Sequence, residues 1–217
     1  MDLEKARFNM VEQQIRPWDV LDDTVLDLLY RVKREDYVPA VYRSLAFTDM
    51  EIPLGHGQTM LSPKLEARML QELRLKPSDK VLEVGTGSGY MTALLASLAR
   101  HVYSVEIVPE LKSEADAKLN AHGFDNVTLE AGDAAKGWLQ HAPYDVIVLT
   151  GSTPVLAEGF ANALAAGGRL LAIVGEAPVM KARLVRAIEP GVYETRDLFE
   201  TCIASLASAP QLEKFTF

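Results

Sequence analysis

The sequence predicts an α/β fold with a doubly wound, mainly parallel sheet. Residues 81–84 are mainly apolar and lead into a glycine-rich turn, as a buried strand would. Further short apolar runs follow with helical patterns between them, which is the rhythm of repeated βαβ units. Residues 144–150 are apolar almost without interruption, as a parallel strand buried on both faces requires. We therefore expect helices on both faces of this sheet.

Two helices are predicted at the N-terminus. Apolar residues recur at helical intervals over residues 3–15, and Pro17 ends that run. Asp22 or Asp23 is expected to cap a second amphipathic helix, which stops before Pro39. These helices are interpreted as a cover for the sheet.

A glycine-containing loop and a third helix follow. Residues 54–63 carry two glycines, and Ser62 before Pro63 predicts a helix N-cap with proline in the first turn. We assign residues 1–75 to an N-terminal helical cover and substrate loop.

Residues 76–217 are predicted to form the sheet domain. The predicted parallel strands cover residues 81–84, 102–106, 127–130, 144–150 and 169–175. Helices are predicted at residues 91–96, 109–122, 134–140 and 156–164, and a turn at Gly167 and Gly168.

Antiparallel strands are predicted to close the sheet. Pro190 and Gly191 form a turn signal between residues 183–189 and the stretch after Tyr193, which indicates a hairpin. Residues 201–206 are expected to add a last antiparallel strand.

The composition excludes several classes of protein. A length of 217 residues suits one domain, and a net charge of -8 without a Lys/Arg cluster argues against nucleic-acid binding. Cys202, the single cysteine, excludes an internal disulfide and is interpreted as a buried strand residue. Four scattered histidines make a metal site unexpected. The charged N-terminus does not resemble a secretory signal, so we expect a cytoplasmic protein that binds no membrane.

The glycine-rich turn predicts a site for an adenosine-containing ligand. Gly85, Gly87 and Gly89 lie at alternate positions, where backbone must turn sharply and approach a ligand closely. Their G-x-G-x-G spacing differs from the G-x-G-x-x-G of nicotinamide enzymes, which disfavours an oxidoreductase. Glu106 ends the next predicted strand, where a carboxylate can accept hydrogen bonds from both ribose hydroxyls. Tight packing alone is the alternative explanation for the glycines.

These residues resemble the protein-L-isoaspartate O-methyltransferases, a family of class I S-adenosylmethionine-dependent methyltransferases. The resemblance runs in register from about residue 10 to residue 175. It is carried by Met-Val-Glu-Gln-Gln-Ile at 10–15, Arg-Glu-Asp-Tyr-Val-Pro at 34–39, Gly-Gln-Thr at 57–59, Val-Leu-Glu-Val-Gly-Thr-Gly-Ser-Gly-Tyr at 81–90, Val-Tyr-Ser-Val-Glu at 102–106 and Gly-Gly-Arg-Leu at 167–170. It implies a Rossmann-like methyltransferase sheet and S-adenosyl-L-methionine as cofactor.

The resemblance also implies which residues hold the cofactor. Asp133 matches the acid that contacts the adenine amino group, although an aspartate there also suits a helix cap. The expected cofactor-binding residues are Glu83, Gly85, Thr86, Gly87, Ser88, Gly89, Glu106, Ile107, Asp133 and Ala134.

The implied reaction is methyl transfer to the free α-carboxylate of an isoaspartyl residue in a damaged protein. That carboxylate is ionised at neutral pH, so no general base is required. The loop offers three candidate catalytic residues, Thr59, Ser62 and His56, each with a simpler explanation. Thr59 fits a turn, Ser62 an N-cap, and His56 a solvated loop position.

The acceptor side departs from the family pattern at three places. Leu61 occupies the position of the family serine that approaches the reacting carboxylate, and leucine cannot donate a hydrogen bond. The family's Pro-Val-Gly is replaced at residues 173–175, and its C-terminal Phe-Val-Pro-Leu at residues 203–206. Two alternatives therefore stay open: a small-molecule or other carboxylate acceptor, and a catalytically weak homologue that binds the cofactor.

Overall fold

A seven-stranded sheet forms the centre of the molecule. The computed structural model describes residues 2–189 and 191–212. The sheet strands are β3 (Lys80–Val84), β4 (His101–Glu106), β5 (Val127–Ala131), β6 (Tyr144–Thr153), β7 (Leu164–Glu176), β8 (Val179–Glu189) and β9 (Val192–Thr201), and a separate hairpin comprises β1 (Ile52–Gly55) and β2 (Gln58–Met60). The order is β5-β4-β3-β6-β7-β8-β9. The first five strands pair in parallel and the last two are antiparallel, so the predicted fold class is confirmed.

Successive residues of the central strands point into two different cores. Val81 and Val146 belong to one cluster of buried residues, whereas their neighbours Leu82 and Ile147 belong to the other. Alternation along a strand sends side chains to opposite faces, so both faces of this sheet are apolar and need cover. This explains why β6 appears in the sequence as a nearly continuous apolar run.

Six helices surround the sheet in the described part of the chain. They are α1 (Leu3–Met10), α2 (Asp23–Arg31), α3 (Pro63–Leu73), α4 (Tyr90–Ala96), α5 (Pro109–Ala121) and α6 (Glu158–Asn162). Helix α1 continues through one π-helical turn at Val11–Ile15 and a 3₁₀ turn at Arg16–Trp18. The side chain of Asp22 caps α2 by accepting a hydrogen bond from Thr24 N at 2.9 Å. The N-terminal cover predicted from the sequence is present.

Two predicted helices are wrong or shorter than expected. Residues 134–140 are not helical, because Gly137 has a φ of +118° and Trp138 folds back over Gly132. Trp138 Nε1 also donates to Glu130 at 2.6 Å, which holds the segment beside β5. The helix predicted at residues 156–164 is reduced to the five residues of α6. The predicted turn at residues 167–168 lies within β7, where the pairing with β6 is irregular.

The C-terminal hairpin is confirmed, but the last predicted strand is not. Strands β8 and β9 pair antiparallel, and β9 ends at Thr201. Beyond it the chain crosses to β6, where Ser152 N donates to Ala204 O and Leu206 N donates to Ser152 O, both at 2.9 Å. This short bridge is parallel rather than antiparallel. Cys202 is exposed and outside any strand, which corrects its interpretation as a buried strand residue.

The N-terminal part and the sheet share one core. The larger cluster of buried residues contains Met10 and Leu65 together with Val146 and Ile173. The boundary between residues 75 and 76 stays a prediction, and packing is continuous across it. Within residues 2–189 and 191–212, no helix has the length and apolarity needed to cross a membrane.

Candidate functional site

One large cavity opens at the carboxyl ends of the parallel strands. It encloses about 850 Å³, counting open solvent at its mouth. Strand β3 has β4 on one side and β6 on the other, so the chain order reverses there. Ligands of open α/β sheets bind in the crevice that such a reversal creates. The cavity therefore lies where the fold class places a ligand.

The glycine turn after β3 forms one wall of this cavity. Gly85 and Gly87 line it, with φ angles of +96° and +53°. A Cβ on Gly85 would collide with Oγ1 of Thr150, which donates to the backbone carbonyls of Val84 and Gly85. The turn is therefore held directly against β6, and a side chain at Gly85 is excluded by packing.

Gly89 lies away from the cavity. It is the N-cap of α4 with a φ of +84°, and a Cβ there would lie 3.1 Å from Cβ of Ala115 in α5. Thr86 and Ser88 do line the cavity, but their hydroxyls have protein partners. Thr86 Oγ1 is 2.6 Å from Ser104 Oγ, and Ser88 Oγ accepts from Tyr90 N at 3.3 Å.

Glu106 is a buried carboxylate that lines the cavity at the end of β4. Its Oε2 accepts from Gly87 N at 2.8 Å, and its Oε1 accepts from Val108 N at 3.0 Å. Each carboxylate oxygen has a second lone-pair site. Glu106 therefore stays able to accept hydrogen bonds from a ligand while its orientation is fixed by the backbone.

Asp133, Ala134 and Ile107 line the same cavity. Oδ1 of Asp133 accepts from Ala135 N at 3.0 Å in a tight turn, so this residue is not the helix cap considered as its alternative role. Its other oxygen makes no hydrogen bond within the described residues. The apolar side chains of Val84, Met91 and Val105 supply walls suited to a flat purine ring.

Glu83 lies behind the cavity wall rather than on it. Its Oε2 accepts from Thr92 Oγ1 at 2.5 Å and from Ser104 Oγ at 2.6 Å, which ties β3 to α4 and β4. Its Oε1 is buried without a partner among the described residues. Burial raises the pKa of Glu83 to about 8, so it carries a proton at neutral pH.

Of the three candidate catalytic residues, only Thr59 lines the cavity. Its Oγ1 donates to Glu51 Oε2 at 2.9 Å. His56 is exposed at the tip of the β1–β2 hairpin with a φ of +54°, as its simpler explanation required. Ser62 is the N-cap residue of α3, although its side chain makes no capping hydrogen bond. The structure therefore does not bring His56 or Ser62 to the cavity.

Sequence reasoning missed Glu66, a buried acid of α3 that lines the cavity. It forms a buried ion pair with Arg34. Glu66 precedes Leu70 by four residues and Leu73 by seven, so it lies on the apolar face of α3. An acid on an apolar helix face was the available signal. Its partner, 32 residues earlier, has no comparable signal.

The chain after β9 completes the cavity. Residues 204–208, here called the strap, line it together with Gly151. A Cβ on Gly151 would lie 2.8 Å from Cδ2 of Leu206, so the strap packs directly on the backbone of β6. The departures from the family pattern at residues 203–206 therefore lie beside the ligand space.

The geometry fits an adenosine-containing ligand. Glu106 and Asp133 each present an acceptor oxygen, and apolar walls lie beside them. No group of three or more metal-ligating side chains occurs within the part of the chain that the structure describes. The strand order and the cavity at the carboxyl ends of the strands are those of the class I S-adenosylmethionine-dependent methyltransferases, the class to which the matching family belongs.

Comparisons with known proteins give the particular family. The family model for protein-L-isoaspartate(D-aspartate) O-methyltransferase matches residues 5–208. A protein-L-isoaspartate O-methyltransferase of Gloeobacter violaceus is 43% identical over 166 residues, 76% of this chain and 81% of that protein. Protein-L-isoaspartate O-methyltransferase 2 of a Polaromonas species is 39% identical over 187 residues, 86% of this chain and 89% of that protein. The chain belongs to the protein-L-isoaspartate O-methyltransferase family, as the motifs predicted.

Two solved structures support the fold. A protein-L-isoaspartate O-methyltransferase superposes with a TM-score of 0.80 at 23% identity, covering 95% of this chain and 66% of that one. A second, from Plasmodium falciparum, is described as a β-aspartate methyltransferase in complex with S-adenosyl-L-homocysteine. It gives a TM-score of 0.75 at 20% identity and covers 95% of this chain and 98% of that one. The predicted cofactor, S-adenosyl-L-methionine, is confirmed by membership of this family.

Proposed function

We propose that this protein transfers the methyl group of S-adenosyl-L-methionine to the free α-carboxylate of isoaspartyl residues in proteins. The relatives that share about 40% of its residues carry the name of that activity. One observation supports it most: Glu106, Asp133 and the loop residues Thr59 to Leu61 line a single cavity. A methyl donor and an acceptor from the loop side would meet within it.

We assign the donor side to the walls formed by the turn, β4 and residues 132–134. Glu106 would accept hydrogen bonds from the ribose hydroxyls, and Asp133 would accept one from the adenine amino group. The glycine turn leaves room for the methionine part, and Ile107 and Ala134 would flank the adenine. When bound, the cofactor supplies an electrophilic methyl group on a sulfonium.

The chain's own contribution is alignment and exclusion of water. An acceptor carboxylate is already ionised at neutral pH, so its attack needs no base. The apolar residues Met60, Leu61 and Met91 line the cavity and limit competing water. Holding a nucleophile in line with a bound electrophile removes much of the entropic cost of a two-body reaction.

The decisive experiment compares matched peptides that differ only in an isoaspartyl or an aspartyl residue. We expect labelled methyl to be incorporated into the isoaspartyl peptide alone. Binding of S-adenosyl-L-homocysteine, measured by calorimetry on the same preparation, shows that the protein is folded and competent. Binding without incorporation would refute the proposed acceptor and leave the family assignment unaffected.

A second candidate function is methylation of a different acceptor. Leu61 replaces the family serine and lines the cavity, which favours this alternative. Turnover on a panel of small carboxylates and hydroxyl compounds, with none on peptides, would select it. Cofactor binding without turnover on either set would instead select a cofactor-binding homologue. The cytoplasm stays the predicted location of the protein.

A further inference from the structure

We propose that Glu66, carrying a proton, donates a hydrogen bond to the acceptor carboxylate and so replaces the serine hydroxyl that this chain lacks at Leu61. This inference rests on the proposed function, because it requires a carboxylate acceptor. It assigns an acceptor-binding role to a residue of α3 rather than to the loop before it.

Glu66 lies beside the position that the serine would occupy. It belongs to the first turn of α3, is 2% exposed and lines the cavity, as does Leu61. One guanidinium, that of Arg34, connects the two residues: Nη1 pairs with Glu66 Oε2, and Nη2 donates to Leu61 O at 2.6 Å. The carboxyl group of Glu66 is therefore one guanidinium away from the backbone of Leu61.

Three polar residues of the loop and its end cannot take this role. The hydroxyl proton of Thr59 is donated to Glu51, so Thr59 can only accept from a ligand. Ser62 and His56 do not line the cavity. Gln58 also lines the cavity with an amide that can donate, but it is only partly buried. Glu66 is the buried donor, and Arg34 holds it beside the backbone of Leu61.

Each nitrogen of the Arg34 guanidinium has a partner, and this arrangement holds Glu66 in place. Its Nε donates to Ala46 O at 2.9 Å, Nη2 donates to Leu61 O, and Nη1 pairs with Glu66. The guanidinium also lies 5.1 Å from the ring centre of Tyr90. Oε1 of Glu66 makes no hydrogen bond within the described residues, which leaves it for a ligand.

Burial and the charge of an incoming carboxylate favour a protonated Glu66 in the substrate complex. Burial raises its pKa to about 7, although Arg34 acts in the opposite direction. The other titratable groups around it are Tyr90 in α4 and Glu83 in β3, and Glu106 lines the same cavity. An incoming carboxylate raises the pKa of Glu66 further, because two carboxylates at close range share one proton.

The proton is not consumed in the reaction. One oxygen of the acceptor receives the hydrogen bond from Glu66, and the other forms the bond to the methyl carbon. The electron pair of the breaking carbon–sulfur bond remains on sulfur, which becomes a neutral thioether as the acceptor becomes a neutral ester. Glu66 keeps its proton throughout.

The test is the pH profile of kcat/KM for methyl transfer to an isoaspartyl peptide. For the wild-type protein, we expect a fall that approaches about tenfold per pH unit above the pKa of Glu66, because the free enzyme must carry the proton. Glu66→Gln should remove that fall, since an amide N–H donates at any pH. Glu66→Leu should lower kcat/KM by roughly tenfold or more at every pH, as expected for loss of a hydrogen bond to a charged group.

Two further variants complete the design. Leu61→Ser restores a hydroxyl beside the acceptor and should flatten the alkaline fall. Glu35→Gln is the matched control: Glu35 is a buried acid paired with Arg7, and it does not line this cavity. It should keep the wild-type profile. A thermal shift on adding S-adenosyl-L-homocysteine checks the folding of each variant, and Leu61→Ser decides the question if Glu66→Gln does not fold.

The outcomes separate this inference from the proposed function. Turnover with the same pH profile in wild type, Glu66→Gln and Leu61→Ser would overturn the role of Glu66 and leave the proposed function standing. A different result would be that Glu66→Gln is folded but inactive while the activity of the wild-type protein rises with pH. This would make Glu66 a general base and overturn the donor role. An absence of isoaspartyl turnover at every pH would overturn the proposed function and this inference together.

Discussion

Glu106 Oε2 accepts a hydrogen bond of 2.8 Å from Gly87 N, so the acid that ends β4 is tied directly to the turn that follows β3. Oε1 is anchored in the same way by Val108 N. Neither oxygen depends on a mobile side chain for its position. The carboxylate is therefore preorganised to face the cavity before any ligand arrives.

Glu106→Gln should weaken cofactor binding. The amide keeps one acceptor oxygen, but its NH₂ group faces a backbone N–H that needs an acceptor, and the charge is lost. Loss of a charge-assisted hydrogen bond predicts a roughly 10- to 100-fold higher Kd for S-adenosyl-L-homocysteine. Calorimetric titration measures it, with the exposed Glu110→Gln of α5 as the control. Equal Kd values for Glu106→Gln and wild type would contradict the assigned role.

Gly85→Ala should destabilise the fold more than the same substitution at another glycine with a similar φ angle. Its φ of +96° disfavours any side chain, and the new Cβ would collide with Thr150 Oγ1. Gly55 is the matched control, with a φ of +85° and nothing within 4 Å of an added Cβ. We expect Gly55→Ala to lower the free energy of unfolding by about 1 kcal/mol through backbone strain. Gly85→Ala should lower it by about 1–3 kcal/mol more because of the clash. Urea denaturation measures both, and equal losses would show that the clash relaxes without cost.

The buried ion pair between Arg7 and Glu35 should behave differently from a surface pair. Arg7→Met leaves Glu35 buried without its partner, which predicts a loss of about 3–5 kcal/mol in the free energy of unfolding. The double variant Arg7→Met, Glu35→Leu should recover much of that loss, because no uncompensated charge remains. Arg43 pairs with Asp36 at the surface, and Arg43→Met should cost less than about 1 kcal/mol. If the single and double variants were equally unstable, packing rather than charge would explain the loss.

Glu83 should make the protein less stable as the pH rises. Its pKa is about 8 in the folded protein, against an ordinary value of 4.5. The folded state therefore holds a proton that the unfolded chain releases, so the stability contributed by Glu83 is full below pH 4.5 and is lost as the pH rises to about 8. Each unit of difference between the folded and unfolded pKa corresponds to about 1.4 kcal/mol in the free energy of unfolding.

Glu83→Gln should flatten this part of the stability profile, because an amide does not titrate. Urea unfolding at several pH values checks it against wild type. The titration of Glu66, with a pKa of about 7, remains in both proteins and cancels in the comparison. Parallel profiles for the two proteins would show that Glu83 does not titrate in this range.

The local pattern of the sequence was sufficient for the sheet and for most of the cavity wall beside the glycine turn. Apolar runs predicted the parallel strands because both faces of β3 and β6 are buried. Glycine spacing predicted the turn after β3, and the position of Glu106 at the end of the next strand placed it beside that turn. These features depend on residues close together in the chain or on a fixed rule of the fold class.

Contacts and backbone angles that exist only in the folded chain decided the features that sequence reasoning missed. Residues 134–140 have a helical composition, but the positive φ of Gly137 and the hydrogen bond from Trp138 to Glu130 prevent a helix. The chain beyond Thr201 stops pairing with β8 and crosses to β6, because Ser152 forms backbone hydrogen bonds with Ala204 and Leu206.

By itself, the sequence determined the fold class, the family and the cofactor, since each depends on patterns within short segments. Only the tertiary structure decided which polar groups reach the acceptor space. The sequence places Glu66 on the apolar face of α3, but its partner Arg34 is 32 residues away and is recognised only in the folded chain. A buried charge requires a partner, and which residue supplies it is set by packing between distant segments.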